Sequence, residues 1–188
     1  MSVELKKLNF RIFAKNGAKM YDLLDTNRAR LAPWFWWATK SITPNKIRFY
    51  IFMTLYIADT KCKSIAHKIN QSKTYDKDFY IYNDGAMAGM IGICNIDTQK
   101  QKNAEIWYLT FHGNPFCMVD SAIRLIENYS IDMGLESLYA KIQSENNASI
   151  RCVLRNGFVH TDTNKCARIS KHNLNLADMF TYTKQLVR

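Results

Sequence analysis

Residues 144–158 carry a polar run that passes into an apolar helical pattern. Ser144 or Asn146 can cap the helix, residues 148–154 continue it, and Gly157 can end it in a left-handed conformation. Just upstream, residues 137–143 set Leu138, Ala140 and Ile142 on one side of a strand. The polar run therefore falls where a strand hands over to a helix, a position at which α/β proteins often hold ligands, although a capped helix with no ligand would carry the same residues. A second chemical candidate is Cys117, just before or inside the first turn of a helix starting near Met118. A helix dipole there favours thiolate, apolar burial opposes it, and His112 is the nearest histidine in sequence that could activate it. Cys62, Cys94, Cys117, Cys152 and Cys166 form no Cys-x-x-Cys pair, and His67, His112, His160 and His172 are scattered. That pattern argues against a disulfide framework or a structural zinc site, and no metal is expected.

The elements that must position these residues follow from periodicity. Residues 8–13 read as a first strand, Asn16-Gly17 as a turn, and 18–31 as a helix stopped by Pro33. Thr43 and Pro44 read as a capped helix start, with Ile47, Ile51, Leu55 and Ala58 recurring on its packed face and Ile65 and Ile69 extending it after a break. Residues 79–82, the turn Asn83-Asp84-Gly85 and the run 87–96 make a hairpin in which Gly89 and Gly92 allow close packing or a bulge. A polar loop over 99–103, a strand over 105–111, a helix over 118–133 ended by Gly134, and the strand 137–143 follow. After the helix ending near Asn156 the chain returns through Phe158, and alternation over 179–183 suits an antiparallel partner strand. The order predicts one α/β domain over residues 1–188, with helices on both faces of a mixed sheet.

The chain is 47% hydrophobic, which suits a soluble globular protein, and its apolar run over 49–58 is too short to span a bilayer. Lys6, Lys7 and Arg11 precede no signal-like segment, so a cytosolic protein without membrane attachment is expected. A net charge of +10 from 26 basic and 16 acidic residues is spread along the chain and builds no nucleic-acid reading element.

Four segments in order resemble the GNAT superfamily of N-acetyltransferases, and more closely its branch acting on ribosomal-protein N-termini. They are Asn27 and Arg28 with Leu31, Trp34 and Trp37; Asn83-Asp84-Gly85 through Ile91-Gly92; Ala104-Glu105-Ile106-Trp107-Tyr108; and Asn146 through Phe158. The resemblance covers most of residues 10–188 and implies a three-layer acyl-CoA N-acyltransferase-like fold, its sheet splayed between two central strands. It implies direct transfer of an acetyl group from acetyl-coenzyme A to a primary amine in a ternary complex. The acceptor would be a protein N-terminus, a ribosomal protein among the candidates, or a small amine; the alternative is a non-catalytic protein of this fold that binds a peptide or ribosomal partner.

By the same resemblance Glu105 is the base beside the acceptor, and Ser149 helps protonate the departing thiolate. Leu109, Thr110 and Phe111 would hold the cofactor through backbone groups, and Asn146 would touch cofactor or acceptor. The pyrophosphate turn would fall on His112, Gly113, Asn114, Phe116, Cys117, Met118 and Val119. Pro115 and Cys117 stand where the family has two glycines, so this turn departs from the pattern. Val153 occupies the position of the tyrosine acid found in many members. Trp34, Trp36, Trp37 and Trp107 form an aromatic set, with Trp37 expected to be the more buried and Trp34 nearer the acceptor.

Overall fold

The computed structural model describes residues 2–70, 77–111, 116–169 and 176–187. In chain order the elements are β1 (Val3–Lys7), α1 (Phe10–Thr26), α2 (Arg28–Leu31), α3 (Lys46–Asn70), β2 (Lys77–Asn83), β3 (Ala86–Asp97) and β4 (Asn103–Thr110). These are followed by α4 (Phe116–Asp132), β5 (Ser137–Gln143), α5 (Asn147–Arg155), β6 (Val159–Ile169) and β7 (Leu176–Gln185). The strands form one seven-stranded mixed sheet in the order β1-β2-β3-β4-β5-β7-β6. One face packs on α1 and α3 through Phe13, Met20, Leu24, Phe49 and Met53, and the other on α4 and α5 through Met118, Ala122, Ile126 and Val153. The three-layer α/β fold with an open mixed sheet is thus present.

The hairpin at Asn83-Asp84-Gly85 forms as expected, with both Asp84 and Gly85 at positive φ. At Gly92 an added Cβ would lie 2.7 Å from Trp107 Nε1 and closer still to Asp78 Oδ1, so the missing side chain lets these groups converge across β3. β7 is the strand predicted over 179–183, and it lies antiparallel between β5 and β6.

The N-terminal part of the chain, through α3, corrects the sequence reading in five places. The first strand is Val3–Lys7 rather than 8–13, because Asn9 Oδ1 accepts from Ile12 N at 2.9 Å and caps α1 immediately afterwards. Asn16-Gly17 does not turn. Gly17 sits inside α1, where a Cβ would meet Phe13 at 2.9 Å and Tyr50 Oη at 3.0 Å, so the glycine lets α1 pack against α3.

Thr43 does not cap α3. It is fully buried in the preceding loop, and Asn45 instead accepts from Arg48 N at 3.0 Å. Along α3, Ile47, Ile51 and Leu55 are 72%, 50% and 64% exposed, while Phe49, Met53 and Ile57 are buried. Both sets repeat at helical spacing, and the core took the face bearing the larger aromatic ring. The expected break before Ile65 is absent, since α3 runs on to Asn70.

Candidate active site

β4 and β5 run parallel only at Asn103–Ser137, Ala104–Leu138 and Glu105–Tyr139, and then part. Beyond Glu105 their facing edges no longer pair with each other, so backbone N–H and C=O groups on those edges border a gap and need other partners. The gap has a volume of about 340 Å³, and its lining includes Glu105, Tyr108, Thr110, Val119, Gln143 and Ser149. Gln143 is 5% exposed, and its Oε1 has no hydrogen-bond partner among the described residues. A buried acceptor without a donor is costly, so this oxygen suits a ligand that brings an N–H. A pantetheine arm carries such amides, and the open strand edges with Gln143 fit it.

Alternation along β4 sends Glu105, Trp107 and Leu109 toward the α1/α3 layer and Ala104, Ile106 and Tyr108 toward the α4/α5 layer. On the first face, the register of β3 slips between Cys94 and Asp97, and Asn95 adopts φ +52°. This bulge aims Asn95 Nδ2 at Glu105 Oε2, 3.0 Å away. Lys141 Nζ stands 4.0 Å from the same oxygen, and the Glu105 side chain remains 20% exposed. Beside it, burial first and the Glu105 charge second push the Tyr139 hydroxyl up to about 12. Asn95 was not legible in the sequence, because nothing in Cys94-Asn95-Ile96 marks a bulge.

On the opposite face Tyr108 Oη lies 2.8 Å from Ser149 Oγ, a contact in which either hydroxyl can donate, and 3.3 Å from Ser149 O. Burial holds the Tyr108 phenol well above its ordinary value, and also raises the Cys152 thiol beside it, so both stay protonated. Asn146 caps α5, its Oδ1 accepting from Ser149 N at 3.2 Å, which fixes the backbone that carries Ser149. Val153 is fully buried in the core. The hydroxyl that reaches α5 here is that of Tyr108 on β4. The signal that would have revealed Tyr108 is its place as the polar-tipped member of the Ala104, Ile106, Tyr108 face.

The remaining expected residues divide. Leu109 and Phe111 are buried in the α1/α3-side core, and the Phe111 N–H is taken by Ala88 O at 2.8 Å. Thr110 borders the gap, and its carbonyl accepts from Arg30 Nη2. Met118 and Val119 are buried in the first turns of α4, with Val119 also reaching the gap; Cys117 is exposed. His112, Gly113 and Asn114 lie outside the described residues, as does the Phe116 side chain.

Arg28 is buried. It donates to Ala38 O at 2.8 Å and to Thr43 Oγ1 at 3.0 Å, and is paired with Asp25. It thereby clamps the loop that presents Trp34, Phe35 and Trp37. Trp34 and Trp37 are both half-buried; Trp37 packs against the α1/α3-side core, and Trp34 lines the gap.

No curated protein matches the chain. Solved structures do. RimL, a ribosomal L7/L12 alpha-N-protein acetyltransferase in complex with coenzyme A, is 18% identical with a TM-score of 0.74, covering 99% of this chain and 95% of its own. The microcin C7 self-immunity acetyltransferase MccE, in complex with acetyl-CoA and AMP, is 21% identical with a TM-score of 0.69, covering 97% and 92%. Mycobacterium smegmatis RimJ, in complex with a CoA disulfide, is 17% identical with a TM-score of 0.70, covering 97% and 81%. At such identities these likenesses speak for the fold. Residues 24–159 match the acetyltransferase (GNAT) domain family, whose co-substrate is acetyl-coenzyme A, and the chain belongs to that family.

Proposed function

We propose that the protein transfers the acetyl group of acetyl-coenzyme A directly to a primary amine, a protein N-terminus in the first instance. The observation that carries this reading is the placement of Glu105 and the Tyr108–Ser149 pair on opposite faces of the gap between β4 and β5. Bound acetyl-coenzyme A supplies an acyl thioester. Glu105, oriented by Asn95, takes the proton of an acceptor approaching from the α1/α3 side. A free α-amino group has a pKa near 8, so a carboxylate can remove its proton without an extreme shift. On the α4/α5 side the Tyr108 hydroxyl donates to Ser149 Oγ, leaving the serine proton to go to the departing sulfur. Gln143 Oε1 accepts an N–H from one of the two substrates.

An N-terminal acceptor is supported by RimL, whose named target is ribosomal L7/L12, and the basic charge of the chain favours an acidic or ribosome-borne partner. The test is steady-state kinetics with calorimetry. Glu105→Gln should lower turnover by about 10²–10⁴-fold while acetyl-coenzyme A affinity holds. Loss of affinity with unchanged turnover would reject Glu105 as the base. If the wild-type protein fails to bind acetyl-coenzyme A, the non-catalytic binding reading replaces this one.

A further inference from the structure

Beside the gap lies a second cavity of about 370 Å³ walled by Trp34, Phe35, Trp37, Phe52, Tyr56 and Trp107. Trp34, Phe35 and Trp107 line both spaces, so the cavity and the gap share a wall. Its rings are half-buried rather than sealed in the core, and such an apolar surface marks a binding site more often than a structural remainder.

The rings are ordered. Trp37 and Phe52 stack at 18° with centroids 6.1 Å apart, and Phe52 and Tyr56 at 11° and 6.4 Å. Phe35 lies against Trp37, ring centroids 6.0 Å apart, and meets Trp107 edge-on at 65°. Tyr56 is held by a 2.8 Å hydrogen bond to the buried Asp78 carboxylate, and Gly92 leaves the room that brings Trp107 close to Asp78. A cavity walled by six aromatic side chains offers another aromatic ring offset-stacked or edge-on contacts that an aliphatic chain cannot make. No charged side chain lines the cavity among the described residues, so the occupant is uncharged. Cys94, which also lines it, is the register partner of Glu105, and Trp107 stands two residues along the same face of β4. A ring held here lies about 7 Å along the strand from Glu105.

We infer that the acceptor is a primary amine carrying a flat, uncharged aromatic ring a few bonds from its nitrogen. The ring enters this chamber and the nitrogen sits at Glu105; the inference rests on Glu105 acting as the base of an amine acetyltransferase. The ring can belong to the first residue of a polypeptide or to a free arylalkylamine.

With acetyl-coenzyme A as donor, acetylation is measured for tetrapeptides beginning with Phe, Leu or Ser, and for phenethylamine against n-hexylamine. The Phe peptide or phenethylamine should exceed its aliphatic counterpart about 10–100-fold in kcat/KM. Whichever does so identifies the source of the ring. Phe52→Leu, and separately Trp37→Leu in case the first variant fails to fold, should abolish the preference and leave the KM for acetyl-coenzyme A unchanged, since neither residue lines the gap. Equal rates for ring and aliphatic acceptors overturn the inference while the acetyltransferase reading stands. If acetyl-coenzyme A does not bind, that reading fails and the chamber is judged separately. Saturable quenching of tryptophan fluorescence by phenethylamine but not n-hexylamine supports it, and its absence overturns it.

Discussion

Ser149 holds little chemistry by itself, because an isolated serine hydroxyl is a poor acid. In the proposed reaction its partner Tyr108 would make it a proton donor, through a 2.8 Å contact between β4 and α5. Because burial favours the neutral phenol, Tyr108 stays protonated above the ordinary tyrosine range and contributes no alkaline limb at physiological pH. If the two hydroxyls form one relay, Tyr108→Phe and Ser149→Ala should each lower kcat about 10-fold or more, and the double variant should be little worse than either. Additive losses in kcat would show that the two act independently. The serine was legible from its place in residues 144–158. Its donor was not, because no spacing rule relates a strand residue to one 41 positions later, and the same holds for Asn95 reaching Glu105 from a bulge.

Among the elements, α3 decides the shape of the acceptor side, since its inward face carries Phe49 and Met53 while Phe52 and Tyr56 wall the aromatic chamber. Its sequence offers two apolar stripes on roughly opposite faces, and periodicity alone cannot rank them. The structure ranks them by burial. Phe49→Ala should therefore cost about 3–5 kcal/mol in denaturant unfolding, and Ile51→Ser within about 0.5 kcal/mol of nothing. A reversed order would mean that the helix is rotated.

On the other layer, α4 and α5 are joined by Arg155, which grips Asp120 with two 2.8 Å hydrogen bonds, assisted by Asn156 at 2.7 Å. The Arg155 bond, followed by that of Asn156, holds the Asp120 carboxyl below its ordinary value, outweighing the opposing effect of burial. A depressed carboxylate stabilises the fold above its unfolded pKa of about 3.9, and the contribution fades as pH falls through that value and below. Asp120→Asn should lower Tm at pH 7, by up to about 1 kcal/mol in stability because Arg155 is partly solvated, and the difference from wild type should close toward pH 3. A gap that widens in acid would contradict the assignment.

At the scale of the whole molecule, a sheet that is continuous at one end and open at the other is the central mechanical fact. The hairpin, β5 and α5 were legible because their signals are local: Asn-Asp-Gly at the turn, alternation along the strand, a polar cap and Gly157 at φ +82°. Where β7 inserts was not legible, because strand order depends on packing between distant segments. The gap itself depends on that order. β5 is paired along its whole length with β7 on one side but with β4 only as far as Tyr139, so beyond that point β4 and β5 border an opening in which neither pairs with the other. Amides there that have no strand partner should exchange with solvent faster than those of the β2–β3 hairpin. A ligand whose own amides complete these edges will protect them. Saturating acetyl-coenzyme A should therefore slow exchange in residues 106–110 and 140–143, leave β1 and β2 unchanged, and raise stability by about 2.7 kcal/mol at one hundred times its Kd. The protection should be weaker in Gln143→Leu, whose side chain can no longer accept an N–H. Binding that raised Tm while protecting only the surface of α4 would place the cofactor outside the gap, and the assignment of the β4/β5 opening as its seat would fall.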